Sequence, residues 1–201
     1  MTAGAVRGVS RPDPFPWLAH LRRDRRGLPV PYINAWGAEA VEHTRVEHDP
    51  VVGGPAVFFD DHGGVPDFTA QNPQRQRQCV VEGLCQVCAK PVPWSRRNLV
   101  LGSLSVEWVW VPALRREVPM VYEPWLCDRC CAIATAWCPA LIRRTRDEKL
   151  QVVKVRAARE VQLVVSSGAI DGFPEAGRQV MIWAKLRLLA VDIQREPPSS
   201  G

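Results

Sequence analysis

Residues 84–88 read LCQVC and residues 126–130 read LCDRC, and these two stretches decide how the chain folds. Each holds two cysteines separated by two residues. A turn of this kind presents two thiolates to one metal ion, and two such turns complete the tetrahedral sulfur site of a structural zinc ion. We therefore predict one zinc ion per chain, bound by Cys85, Cys88, Cys127 and Cys130.

The composition limits the class of protein that surrounds these cysteines. The chain has 201 residues, 46% of them apolar and 23% charged, which favours one mixed α+β domain. Seven cysteines, an odd number with two close pairs, indicate metal or redox chemistry rather than a disulfide framework. Because the sequence has no signal-peptide pattern and no apolar run of about 18 residues, we expect a cytoplasmic protein without a membrane partner. A formal charge of +5 permits an anionic partner without requiring one.

Proline and glycine divide the chain into three predicted parts. Residues 1–71 contain the motifs PDPFPW, GLPVPY, VVGGP and DHGGVP, which predict a mostly irregular N-terminal arm with one short helix at residues 17–25. Residues 72–196 are predicted to form a single zinc-binding α+β domain. Residues 197–201, PPSSG, are predicted to be a disordered tail.

The elements of the second part follow in a recognisable order. Asn72-Pro73 predicts a helix start and Gly83 its end, because asparagine caps a first turn and proline suits its first position. Residues 106–111 alternate with period two, and with residues 117–122 they predict a β-hairpin. Residues 127–137 predict a short helix that carries the second cysteine pair in its first turn. A knuckle, a hairpin and such a helix are the plan of a treble-clef zinc finger.

The rest of the chain predicts further strands. LQVVKVRA and EVQLVVSS read as two strands, while VMIWAKLRLLAV fits either a helix or a strand. A short helix and an isolated hairpin are each marginal in water. The sequence therefore predicts that the metal holds the hairpin and the second helix together, and that its removal melts both.

Three cysteines fall outside the two pairs. Cys138 lies about 12 Å along the helix from Cys130, too far to bind the same ion, and is predicted to be a small buried residue beside Ala134. Cys131 points away from Cys130 around the helix, and Cys79 is predicted to lie in the core. Two alternatives to zinc stay open: a redox-active cysteine pair, and an iron–sulfur cluster, which also takes four cysteines.

The cysteine segments resemble a group of functionally uncharacterised zinc-finger proteins found in actinobacteria and their phages. The pattern of that group is CxxCG, a hairpin, a prolyl segment and (H/C)xxC, followed eight residues later by Cys-Pro. LCQVC and YEPWLCDRCCAIATAWCPAL carry it here, with Cys127 at the His/Cys position and Ala89 in place of the usual glycine. RGLPVPYINAWG and PDFTAQNP extend the likeness over residues 27–140, and RQVMIWAKLRLLAV echoes it weakly. The resemblance implies a zinc site and no particular activity.

A nuclease of the HNH type is an alternative function, because many treble clefs carry that chemistry on the hairpin and helix. Such a site needs a histidine as general base. All four histidines of the chain lie upstream of Cys85, and none lies between the two cysteine pairs. We therefore predict no catalytic residues.

A binding module is the preferred function, because a zinc-stapled hairpin presents a rigid surface without any reactive group. Its partner is either nucleic acid or another protein. Trp and Arg side chains stack on the bases of single strands, and they also anchor protein interfaces. The candidate binding residues lie beside the first knuckle and on the hairpin, and they are Trp94, Arg96, Arg97, Trp108, Trp110, Arg115 and Arg116.

Overall fold

The computed structural model describes residues 13–37, 44–59, 63–101, 106–138, 141–142, 151–154, 157–166 and 180–190. These residues form a mixed α+β fold, as predicted. The helices with described bounds are α1 (Pro73–Glu82) and α2 (Asp128–Trp137), and residues 141–142 are helical as well. The strands are β1 (Asn34–Trp36), β2 (Thr44–Asp49), β3 (Gly54–Phe59), β4 (Pro66–Gln71), β5 (Asn98–Leu101), β6 (Val106–Val111), β7 (Arg116–Val121), β8 (Gln151–Lys154), β9 (Ala157–Ser166) and β10 (Val180–Ala190).

A six-stranded sheet is built around β10. β9 pairs antiparallel with β10 over its length, from Val180 to Ala190. The opposite edge of β10 is shared by two hairpins: β3 of the β2–β3 hairpin pairs at Met181, and β7 of the β6–β7 hairpin pairs at Leu186. The two hairpins therefore lie one after the other along a single strand.

Between the two hairpins, side chains of α1 take the place of a strand. Gln76 accepts the Ala184 N–H at 3.0 Å and donates to the Ala184 carbonyl at 2.7 Å, as a neighbouring strand would. Arg77 donates to the Ile182 carbonyl at 2.9 Å. Both side chains are fully buried, and a buried polar group left without a partner costs about 1 to 3 kcal/mol. α1 thus seals the gap between β3 and β7.

The helix predicted between Asn72 and Gly83 is confirmed at both of its ends. Asn72 caps α1 by accepting the Arg75 N–H at 3.0 Å, and Gly83 ends the helix with φ +69°. A Cβ at Gly83 would also run into the Arg97 guanidinium, so glycine is needed there for its conformation and for its size.

The other predicted elements downstream of α1 are also present. The β6–β7 hairpin and α2 match the predicted hairpin and second helix within one residue. β8 and β9 are the two further predicted strands. The stretch VMIWAKLRLLAV, which fitted either type of element, forms β10. No helix in the described part of the chain is long and apolar enough to cross a lipid bilayer.

The N-terminal segment differs from the irregular arm expected over residues 1–71. Its described part contains β1 to β4, with β1 and β4 paired in a separate ribbon. Prolines and glycines stand at the turns and strand ends, as in the turn formed by Pro50 to Gly53, so they separate short strands without preventing them. Because β3 pairs with β10, this segment shares the sheet of the predicted 72–196 domain. Residues 197–201 lie outside the described residues.

The predicted helix at residues 17–25 is reduced to one 3₁₀ turn, Pro16–Leu18. Instead of continuing as a helix, the chain turns at Asp24. Its Oδ1 accepts the N–H groups of Arg26 and Leu28, each at 2.9 Å, and such a local bond competes with helix formation.

Candidate metal centre

Four cysteine side chains from two distant segments meet in the structure. The Sγ atoms of Cys85, Cys88, Cys127 and Cys130 all lie within 4.8 Å of one another. A tetrahedral zinc ion with Zn–S bonds of about 2.3 Å holds its sulfurs about 3.8 Å apart, so this four-cysteine cluster fits such an ion. Cys85 and Cys130 are fully buried, and all seven cysteines are free thiols. The cluster can therefore hold a metal ion.

The first cysteine pair lies on a tight turn after α1. The Cys85 N–H donates to the Lys90 carbonyl and the Ala89 N–H donates to the Cys85 carbonyl, both at 2.8 Å. Ala89 has φ +56°, a left-handed conformation that costs a non-glycine residue about 1 to 2 kcal/mol. The turn therefore favours glycine directly after Cys88.

Ala89→Gly is expected to stabilise the metal-bound protein by about 0.5 to 1 kcal/mol. Glycine removes the Cβ strain at positive φ, and the greater entropy of the unfolded chain offsets part of the gain. Denaturant unfolding of the metal-loaded protein measures the difference. Ala132→Gly, on the exposed side of α2, is the matched control and should destabilise by about 1 kcal/mol. A loss of stability in both variants would contradict the strain at Ala89.

The second cysteine pair lies at the N-terminus of α2. Cys127 is the N-cap of this helix, and its Sγ accepts the Cys130 N–H at 3.4 Å. The Cys127 N–H donates in turn to the Cys85 Sγ at 3.5 Å, which links the two pairs. N–H groups of a first helical turn favour negative charge, so they stabilise the thiolates that metal binding requires.

Backbone pairing beside the cysteines brings the two pairs together. Asn98 and Leu126 exchange two hydrogen bonds of 2.9 and 2.8 Å, and the Gln86 N–H donates to the Trp125 carbonyl at 2.8 Å. The buried Asn98 side chain donates to the Leu126 carbonyl at 3.2 Å and to Asp128 Oδ1 at 3.0 Å. The second cysteine pair is therefore held against the start of β5.

The N-terminal segment encloses another side of the four-cysteine cluster. The Tyr32 N–H donates to the Val87 carbonyl at 3.0 Å, inside the first cysteine turn. Leu18 packs in the apolar cluster that contains the metal-site cysteines. His20 Nε2 lies 2.9 Å from the Cys88 carbonyl oxygen. Contacts of this kind around the ligands orient them and limit the access of water.

Hydrogen bonds among the thiols set the protonation of the cluster. Bonds with Cys130 and Cys85 lower the pKa of Cys127, whereas the bond with Cys127 raises the pKa of Cys130. Metal binding requires the thiolate form of a cysteine, so it releases the thiol protons. Burial raises the pKa of Cys79 to about 12, which keeps that residue a neutral thiol at physiological pH.

Comparisons with protein-family models, with curated proteins and with solved structures give no match to this chain. A fold can host unrelated functions, so the residues of the site are the better guide. The function is therefore inferred from the four-cysteine cluster and its surroundings.

The other three cysteines lie where their environments can be compared with the predictions. Cys79 is fully buried, as expected of a core residue, and Cys131 is also buried. Cys138 is only half-buried, because it is the C-cap residue at the end of α2, where its N–H donates to the Ala134 carbonyl at 3.0 Å.

The candidate binding residues that follow the first cysteine turn differ in their exposure to solvent. Trp94 is 47% exposed and Arg96 is exposed, so both can meet a partner. Arg97 is buried, with its guanidinium 3.6 Å from the centroid of the Trp94 ring and 4.7 Å from that of Trp125. Its Nε donates to the Val92 carbonyl at 2.9 Å. Arg97 is therefore held inside the protein, although the sequence pattern suggested a surface role.

The candidates on the hairpin belong to a different element. Trp110 is 58% exposed, and Trp108 on the same strand is half-buried. Arg115 and Arg116 are exposed at the turn between β6 and β7, where Arg115 adopts φ +50°. The candidates that follow the first cysteine turn and those on the β6–β7 hairpin thus lie on separate elements. Their role in partner binding stays a prediction.

Sequence reasoning missed three residues that shape the site. Trp125 is fully buried and makes an edge contact with Trp94, with ring centroids 5.6 Å apart. Its position two residues before Cys127 is the only local signal. Asn98 and His20 give none, because their partners Leu126 and Cys88 lie 28 and 68 residues away in the chain.

Proposed function

We propose that this chain is a structural zinc-binding protein that serves as a non-catalytic binding module. The observation that carries the proposal is the gathering of four cysteine sulfurs within 4.8 Å of one another. Four thiolates close the coordination sphere of zinc and leave no open position for a substrate, which is typical of structural zinc. The ion would hold residues 85–90 and α2 against β5.

A treble-clef arrangement is part of the proposal. One ligand pair on a turn and a second pair at the start of a helix follow the order of that fold. The β6–β7 hairpin lies between the pairs in sequence, but it belongs to the β10 sheet. The link between the two halves of the proposed motif is therefore the pairing of Asn98 with Leu126.

The proposed partner surface uses exposed aromatic and guanidinium groups. Trp94 and Arg96 supply them beside the cysteine turn, and Trp110, Arg115 and Arg116 supply them on the hairpin. Such side chains suit nucleic acid and protein partners alike. A cytoplasmic location and kinship with the actinobacterial and actinophage group complete the proposal.

Metal analysis of the purified chain tests the proposed function. We expect about one zinc ion per chain and no visible absorption, because zinc has a filled d shell. Cys85→Ser and Cys130→Ser should lose the metal. Cys131→Ser should retain it, because Cys131 lies outside the four-cysteine cluster.

Three other outcomes would contradict the proposal. Iron with visible absorption would identify an iron–sulfur cluster. A reversible disulfide within one pair would identify a redox site. Equal loss of metal from all three serine variants would show that the ligands are wrongly assigned.

A further inference from the structure

A groove lined by aromatic rings lies between the main sheet and the β1–β4 ribbon. Its volume is about 770 Å³, within the range of ligand-binding sites. Phe59, Tyr122 and Trp183 line it with partly exposed rings, and Asp67 and Gln71 add polar groups. We call this space the aromatic groove.

A second cavity, of about 360 Å³, adjoins the aromatic groove. Trp36 and Phe59 line both, so the two spaces share a border. His20, Arg22 and Arg75 line the second cavity. Because arginine guanidinium groups can bind phosphate oxygens in addition to protein groups, we call this space the basic pocket.

Arg22 is held at the border between the aromatic groove and the basic pocket. Its guanidinium lies 3.8 Å from the centroid of the Trp36 ring. Trp36 is only 5% exposed, so its ring is a support for Arg22 and not a surface for a ligand. A stacked guanidinium keeps the N–H groups at its edge, and with five donors it can bind phosphate oxygens in addition to protein groups.

Asp67 gives the aromatic groove the opposite charge. The Thr69 hydroxyl and N–H donate to Asp67 Oδ1 at 2.6 and 2.8 Å, and these bonds lower the pKa of Asp67. A carboxylate accepts hydrogen bonds from the amino groups of bases. Partly exposed rings with a carboxylate, next to a basic pocket, are thus complementary to a planar base joined to an anionic phosphate.

We propose that the aromatic groove and the basic pocket together bind single-stranded nucleic acid. A base would stack on the rings of Phe59, Tyr122 and Trp183, and an adjoining phosphate would meet Arg22 and Arg75. A single strand fits because its bases are free to stack, whereas those of a duplex are not. The inference rests on the proposed role as a binding module and adds to that module a site for single strands at the groove.

A strand of several nucleotides suits the two spaces better than a free nucleotide. The aromatic groove offers three rings to bases, and the basic pocket beside it offers two arginines to phosphates. A strand can occupy both spaces with several bases and phosphates, whereas a mononucleotide brings a single base. We therefore expect oligonucleotides to bind more tightly than mononucleotides.

Fluorescence anisotropy with labelled single strands of about 12 nucleotides tests the inference on the zinc-loaded full chain. Binding should weaken as salt is raised. Arg22→Gln and Arg75→Gln should each weaken it and lower the slope of log K against log salt by about 0.7. Tyr122→Leu should weaken binding at least about fivefold, and Tyr122→Phe should retain it, because stacking needs the ring and not the hydroxyl.

Arg25→Gln and Phe68→Leu are the matched controls, because they remove the same kinds of side chain from exposed positions that line neither the aromatic groove nor the basic pocket. They should bind like the unchanged protein, with circular dichroism confirming that all variants are folded. Loss of binding in these controls but not in the groove variants would overturn the groove as the site. An unchanged protein that binds no oligonucleotide, or binds a mononucleotide equally well, would overturn the inference too. Zinc content reports separately on the proposed function in every case.

Discussion

Chelation of the metal is expected to unfold α2 and both cysteine turns while the six-stranded sheet remains folded. α2 has ten residues and is too short to be stable alone, and its N-terminus is held at the four-cysteine cluster. Structural zinc contributes roughly 10 to 16 kcal/mol in small zinc fingers, comparable with the stability of a whole domain. Loss of the ion should therefore release this part of the protein completely.

The sheet should persist because it does not depend on the metal ligands. The β6–β7 hairpin pairs with β10, and α1 seals the neighbouring gap through Gln76. The sequence alone predicts that the hairpin melts together with the helix. Its place in the larger sheet changes that expectation.

Hydrogen exchange measured by mass spectrometry during titration with a strong chelator checks this prediction. Amides of residues 85–98 and of α2 should lose protection, whereas those of β7 should keep it. The helical circular dichroism should fall, because α2 loses its ten residues of helix while α1 keeps its own. Cys131→Ser, with its metal retained, is the control. Equal loss of protection in both regions, or no loss in either region, would contradict the prediction.

Arg77→Met is expected to destabilise the protein by about 3 to 5 kcal/mol. Arg77 Nε donates to Asp49 Oδ2 at 2.7 Å, and both side chains are at most 2% exposed. Burial lowers the pKa of Arg77, while the bond with Asp49 opposes that effect. Removing one member of a buried pair leaves the other charge without compensation. The Ile182 carbonyl, which accepts from Arg77 at 2.9 Å, would lose that donor as well.

Urea unfolding of the metal-loaded protein measures this loss. Arg23→Met is the matched control, because the Arg23–Asp13 pair of 2.6 Å is about one-third exposed. An exposed pair contributes about 0 to 1 kcal/mol. The double variant Arg77→Met with Asp49→Asn should lose less stability than the sum of the two single variants. Additive losses, or a loss as small as that of Arg23→Met, would show that the buried pair is not coupled.

Features that depend on neighbouring residues could be predicted from the sequence. The four candidate ligands follow from cysteine spacing, because two cysteines separated by two residues share one turn in almost any setting. Asn72-Pro73 and Gly83 bound α1 because capping acts within a single helical turn. The alternation along β6 identifies a strand because side chains of a strand point to opposite faces in turn.

Features that depend on distant residues were decided only by the tertiary structure. Arg97 looked like a surface residue in sequence, but the rings of Trp94 and Trp125 enclose it, and Trp125 belongs to the other cysteine segment. The strands β1 to β4 were not predicted from the sequence. Their pairings, β1 with β4, β2 with β3 and β3 with β10, identify them as strands.

The sequence by itself determined the candidate metal ligands, the helices α1 and α2 and the β6–β7 hairpin, and the tertiary structure decided how they are assembled. β10 reads as helix or strand until β3, β7 and β9 pair with it. Gln76 gives no local signal of its role, because its partner Ala184 lies 108 residues away. Caps, turns and strand periods act over a few residues, whereas sheet order and buried polar pairs join segments that no local pattern connects.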